Sequence, residues 1–317
     1  MAPVVIPGVN LPFVTGPFVL GFMWSYCLYG MLIVQVYMYF ETFPKDRRGL
    51  KALVWTMFVL ETVFTVFMTI AAWNAYGPGW GDPDTLSVVN WSYEPLPALN
   101  SILAALAQGF YVWRIWTLSV RKMYIALPIV VIGGVMLTQV VAAFYYDIVV
   151  TLEGRAVYEL YVHSAEVTTW LAASAVADVL ITLSLVLILY RRKRTAAIPQ
   201  TVGLMNRLIR FSVETGCVTS VGALIELALW VACPKWNWYY IFFLTLGKLY
   251  SNTLMATLNC RAPVFRADLS ATVIMQSSLF WCDVLDEKSR PQSIELGSMR
   301  ESRATDVRVV DKPKMSI

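Results

Sequence analysis

The sequence predicts an all-α polytopic membrane protein of seven transmembrane helices, with the amino terminus outside and the carboxyl terminus in the cytoplasm. Three observations carry this prediction. The 317 residues are 58% hydrophobic and only 15% charged, and the apolar residues fall in seven runs of about 20, the length a helix needs to cross a bilayer's hydrocarbon core. Lysine and arginine gather in alternate connecting segments. From about Ala262 the composition turns charged and small.

The apolar windows lie at 17–40, 52–74, 97–117, 123–145, 168–189, 208–232 and 239–258. In lipid a helix satisfies its own backbone groups, and these runs lack the period-two polarity of a membrane β-strand. The first 16 residues contain no lysine or arginine, and the first run is too long for a signal-peptide core, so it is expected to be retained as a span. The segment after span 1 holds Lys45, Arg47, Arg48 and Lys51. The end of span 3 and its loop hold Arg114, Arg121 and Lys122, and the segment from Arg191 to Arg210 holds six more. The opposite side has Arg155 and Lys235 alone. Because short cytoplasmic loops are enriched in basic residues, thirteen against two places the amino terminus outside.

The sequon Asn90-Trp91-Ser92 lies in a loop this topology puts outside, which makes Asn90 a glycosylation candidate. The same loop, from residue 75 to 96, is rich in Gly, Pro and Trp and is expected to cap the outer face with interfacial aromatics. The organisation is thus an extracellular segment 1–16, a membrane domain 17–260 and a mostly disordered cytoplasmic tail 261–317. Within the tail, 264–283 has the composition of an interfacial helix, using Phe265, Leu269, Val273 and Phe280.

Composition excludes several chemistries. Five scattered cysteines form no disulfide framework or CxxC spacing, and the one histidine, His163, cannot build a metal site. No nucleophile with its base can be assembled, so no enzyme, cofactor or metal is expected, and a net charge of +4 confined to loops implies no nucleic acid. The expected partners are the lipid bilayer, a small-molecule or lipid ligand, and a cytoplasmic partner at Arg191 to Arg210 and the tail.

Ionisable side chains inside spans are costly, about 2.5–3.5 kcal/mol each at the helix centre on insertion scales, and tend to face the bundle interior. Glu61 in span 2, Asp178 in span 5 and Lys248 in span 7 lie near mid-span. Each heads a polar stripe at helical spacing: Glu61, Thr65 and Thr69; Ser174, Asp178 and Thr182; Lys248, Asn252 and Asn259. Lys248 is expected to pair with Asp178 or Glu61. Two readings stand side by side: Glu61, Asp178, Lys248 and Asn252 form a ligand, ion or proton site, or they hold the helices together. Glu214 and Glu226 are weaker candidates, near enough to the ends of span 6 for interfacial water to serve them. Arg114 is expected to reach lipid headgroups. Gln35, Gln108 and Gln139 read as packing glue, Gly21-x-x-x-Ser25 as a small-residue packing face, and Cys260 as an unmodified thiol at the inner boundary. His163 reads as a solvated histidine beside Glu159 and Glu166.

The runs YGMLIVQVYMYF (Tyr29 to Phe40), LTQVVAAFYY in span 4, YRRKRTAAIPQT, NRLIRFSVETGCVTS (Asn206 to Ser220) and KLYSNTLMATLNCR (Lys248 to Arg261) resemble a family of fungal, mainly basidiomycete, membrane proteins known as domain of unknown function 6534. The resemblance covers residues 15–262 and implies a seven-span fold and a membrane location, with no activity or site residues. Rhodopsin-type receptors fit worse, since Trp113-Arg114-Ile115 replaces an acidic-Arg-Tyr triplet and the NPxxY-like run is missing. A retinal protein would find its lysine in Lys248 but only Gln108 at the usual counter-ion place in span 3. The expected function is a receptor-like sensor or signalling protein of the plasma membrane. The alternatives are a transporter or proton-coupled carrier using the midplane charges, or a membrane scaffold.

Overall fold

A computed structural model describes residues 11–80, 91–119, 122–153, 162–195, 199–233 and 236–261, without the side chains of 11–13, 122–124, 189, 192–195 and 199–212. All belong to the compact unit Met1–Ala262. The sequon residue Asn90, Glu159 and the tail with its interfacial stretch lie outside the described residues.

The described residues fold into seven helices: α1 Leu11–Thr42, α2 Arg48–Tyr76, α3 Pro95–Leu118, α4 Lys122–Leu152, α5 Ser164–Thr195, α6 Pro199–Ala232 and α7 Tyr239–Asn259. Each coincides with one apolar window. Helices α1 to α6 each contain a stretch long and apolar enough to cross a membrane. Several outrun their windows: α5 has 32 residues and α6 has 34, so each is about 50 Å long against a hydrocarbon core of about 30 Å. The basic segment expected as a loop at Arg191 to Arg210 is therefore largely helix. Only residues 196–198 between α5 and α6 lie outside the described ones.

Helix α7 differs in composition from the other six. Its 21 residues reach about 31 Å at 1.5 Å per residue, but Lys248, Asn252, Asn259 and several Ser and Thr residues make it too polar to count as an apolar span. Its position explains this. Sixteen of its residues are buried, and it packs against α1, α2, α3 and α6, so protein rather than lipid surrounds it and polar side chains find partners. The opposite case is α4, whose Leu127, Val130, Leu137, Val141, Ile148 and Leu152 are exposed. These are spaced by three, four or seven residues and so form one apolar stripe suited to lipid.

The packing of α1 on α7 is parallel and close. Gly21, Ser25, Leu28, Leu32, Gln35 and Tyr39 are separated by alternating steps of four and three residues, which aligns them on one face of α1. A Cβ on Gly21 would meet Leu244 Cδ1 at 2.9 Å and the Tyr240 carbonyl at 3.2 Å, so the expected small-residue face is a contact with α7. Further along the seam, Asn252 Nδ2 donates to the Leu28 carbonyl at 3.0 Å and Asn259 Nδ2 to the Gln35 carbonyl at 2.9 Å. Two asparagines one heptad apart thus clamp two carbonyls one heptad apart.

Two apolar clusters fill the bundle. One, around Tyr39, Met57, Ile115, Leu185 and Leu254, lies toward the end that carries Arg48 and Arg261. The other, around Phe22, Phe64, Met68, Trp170, Trp230 and Phe243, lies toward the opposite end. Glu61 falls between Met57 of the first and Phe64 of the second, so a polar layer separates two dry ones. At the second end Tyr93 packs edge-on against Phe18 and Trp91 against Phe67. The described flank of the aromatic loop therefore rests on α1 and α2.

Candidate functional site: a buried charge layer around α7

The three midplane ionisable residues are buried. Lys248 and Glu61 are 0% exposed and form a salt bridge, Nζ to Oε2 at 2.9 Å, which joins α7 to α2. The structure thereby chooses between the two expected partners of Lys248. Its ammonium also donates to Thr65 Oγ1 at 2.8 Å and stands 4.9 Å from the Phe64 ring centre and 5.2 Å from that of Tyr29. The second carboxylate oxygen of Glu61 accepts from Ser251 Oγ at 2.6 Å. Each charge is compensated inside the bundle, the condition under which a buried ion pair is tolerated. The stripe logic holds locally, because Thr65 lies one turn beyond Glu61 on α2, where its hydroxyl also donates to the Glu61 carbonyl at 2.7 Å.

Asp178 on α5 makes a separate group. Its Oδ2 accepts from the Tyr250 hydroxyl at 2.5 Å and its Oδ1 from Gln108 Nε2 at 2.9 Å. Tyr250 is also 3.3 Å from Ser174 Oγ. Three helices, α3, α5 and α7, thus share one carboxyl. Because α7 carries Lys248 and Ser251 toward Glu61 and Tyr250 toward Asp178, it links both groups. Asn252 turns to the α1 carbonyl and to Lys248 O at 2.7 Å, so among the four candidates it clamps backbone rather than joining a charge.

Other expectations are refined. Gln108 and Gln139 do bond across helices, the latter to the Ser101 carbonyl at 3.3 Å. Arg114, expected at the headgroups, is 9% exposed and buried within α3's packing face. Cys260 is buried with its thiol directed to the Thr257 carbonyl. Glu226, expected to lie in reach of interfacial water, is 2% exposed. Apolar length alone placed it near a span end, but its face of α6, shared with Thr219 and Ala223 at helical spacing, turns inward.

Sequence reasoning missed two further groups. Asp147, past the fourth apolar window, accepts from the Ala98 backbone N–H at 2.9 Å, satisfying a free amide in the first turn of α3. At the basic end, Asp46 receives Arg261 Nη2 at 2.6 Å, the Tyr39 hydroxyl at 2.9 Å and the Arg47 backbone N–H at 2.9 Å. Arg261 also lies over the Phe43 ring, 4.6 Å from its centre. Burial acts to raise the Asp46 pKa, but Arg261, the Arg47 amide and the Tyr39 hydroxyl outweigh it and hold the carboxyl below its ordinary value. This contact ties the turn after α1 to the end of α7. Its signal was faint, one aspartate inside a basic segment.

At the other end His163 bridges two helices, Nε2 to Glu153 Oε2 at 2.7 Å beyond α4 and Nδ1 to Glu166 Oε1 at 3.6 Å on α5. The Glu153 hydrogen bond raises the imidazole's pKa above its ordinary 6.5 despite partial burial. A raised folded-state pKa means that the contact stabilises fully below pH 6.5 and is lost as pH rises through the raised value. Thermal unfolding in detergent from pH about 5.5 to 9 should show a decline in wild type that His163→Gln lacks.

The apolar helices and the charged layer they enclose define a multi-pass helical membrane protein. Residues 174–263 match the family model described as a family of unknown function, DUF6534. That stretch includes Asp178, Glu226, Lys248, Tyr250 and Asn252. No curated protein and no solved structure matches the chain.

Proposed function

We propose that the protein is a receptor-like sensor with seven membrane crossings, in which the Lys248–Glu61 pair is a latch between α2 and α7. In this reading α7 is the seventh crossing, its polarity supported by the helices around it. The amino terminus lies outside and the carboxyl terminus in the cytoplasm, as the distribution of Lys45, Arg47, Arg48, Lys51, Arg114 and the Arg191 to Arg210 segment favours. The plasma membrane of a fungal cell is the location that this orientation, the Asn90 sequon and the resemblance suggest. The protein is not an enzyme.

The observation that carries the reading is a fully compensated ion pair at mid-depth that closes one helix contact and has no solvent-facing atom. Such a pair has two distinct states, made and broken, and a ligand that favours the broken state shifts the bundle by its differential affinity. The helix ends beyond the membrane, the Asp46–Arg261 contact among them, then carry the change to a cytoplasmic partner at Arg191 to Arg210. The described helices run unbroken through mid-depth, whereas carriers typically place their sites at interrupted helices.

Proton and solute uptake into reconstituted vesicles separates sensor from carrier. Wild type, Lys248→Met and Asp178→Asn should all match protein-free vesicles. Uptake by wild type that disappears in both variants would make the protein a carrier and overturn the sensor reading.

A further inference from the structure

Among the described residues two buried acids, Asp178 and Glu226, stand outside the latch, and Glu226 is bonded differently from the others. Glu61 and Asp178 each accept two side-chain hydrogen bonds. Glu226 accepts none among the described residues, although it is 2% exposed. It lines a cavity of about 10 Å³, room for one water molecule, walled by Asn100 of α3, Trp170, Leu171 and Ser174 of α5, and Leu246 and Tyr250 of α7. The titratable group facing it there is Tyr250, behind which stands Asp178. Among the described residues no basic side chain lines the cavity, and Lys248 is engaged with Glu61.

An unpaired carboxylate in a mostly apolar, low-dielectric site is far costlier than the neutral acid, which both donates and accepts. We propose that this cavity is a proton-binding site. Glu226 holds the proton and shares it through one water with the hydroxyls of Ser174 and Tyr250, and through Tyr250 with Asp178. The chain Glu226–water–Ser174–Tyr250–Asp178 spans α6, α5 and α7, with every member a hydrogen-bonding oxygen. Loss of the proton leaves a bare anion between α6 and α7, which must draw in water or part the helices, so protonation holds α6 closed on α5 and α7. Sequence pattern placed Glu226 among the weaker candidates because hydropathy reports depth and not the direction a side chain faces.

Infrared spectroscopy of the reconstituted protein at neutral pH tests this. The carbonyl stretch of a protonated carboxylic acid should be present in wild type, persist in Asp178→Asn and vanish in the near-isosteric Glu226→Gln. In Ser174→Ala, which keeps both acids, the band should shift as one hydrogen-bond partner is lost. A wild-type minus Glu226→Gln difference showing ionised carboxylate at neutral pH would overturn the proposal. So would a band that appears only when sodium is withdrawn, which would assign the cavity to a metal cation instead. Should Glu226→Gln fail to fold, an unshifted band in Ser174→Ala is itself the contrary result.

Discussion

Lys248→Met is expected to destabilise the folded bundle by about 3–5 kcal/mol, the range for removing one member of a buried ion pair. The cost arises from the partner left behind. Glu61, 0% exposed, would keep only Ser251 as a donor, and its charge would face the Phe64 ring and the apolar layers on either side. Thr65 would lose the ammonium it accepts from, at 2.8 Å. The double variant Glu61→Gln with Lys248→Met removes both charges, and because an apolar or neutral replacement of a whole pair is often near neutral, it should recover most of the loss. Reversible unfolding in mixed micelles reads both. A loss in the double variant equal to the sum of the Glu61→Gln and Lys248→Met losses would mean that the two side chains do not interact energetically.

Gly247→Leu is expected to be the second most damaging substitution, because α3 and α7 meet at this glycine with no room for a side chain. Even a Cβ here would overlap the Asn100 side-chain oxygen and stand 3.4 Å from Leu103 Cδ1. Asn100 cannot swing away freely, since its Nδ2 donates to the Phe243 carbonyl at 3.0 Å. Overpacking of this kind typically costs about 1–3 kcal/mol, and here it also breaks a buried hydrogen bond worth about 1 kcal/mol. Gly247→Ala should cost less, and Asn100→Ala should relieve part of that smaller loss by removing the overlapped atom. The same unfolding assay measures it, and a Gly247→Leu protein as stable as wild type would contradict the close α3–α7 approach.

Most of the fold was legible in the sequence because lipid imposes a simple rule on each segment. A run long enough to cross and apolar enough to face hydrocarbon becomes a helix, and all seven windows did. The rule fails at boundaries, since α5 and α6 continue as helices beyond the apolar stretch once their polar turns reach water. It also ranks α7 last, although α7 is the helix that organises the bundle, because hydropathy measures fitness for lipid and α7 hardly meets lipid.

The site was legible in membership and not in pairing. Counting along spans brought out Glu61, Asp178 and Lys248, and the stripes brought out Thr65, Ser174 and Asn252. Two carboxyls at the same depth cannot be told apart as partners of one lysine without knowing which faces of α2, α5 and α7 meet. The structure gives Glu61 to Lys248 and supplies Tyr250 and Gln108 to Asp178. Tyr250 carried no signal of its own among sixteen tyrosines, and Glu226 was judged by its distance from a span end. Direction around the helix axis, set by tertiary packing, decided both.

The most direct test of the latch is the distance between spin labels on Arg48→Cys of α2 and Ala256→Cys of α7, one exposed and one half-buried toward the basic end, in a background without the native cysteines. Reconstituted wild type should give one distance population, and Glu61→Gln, which breaks the pair while leaving the helices in place, should add a second. A single unchanged population in folded Glu61→Gln protein would contradict the latch and leave the Lys248–Glu61 pair as a static tie between helices.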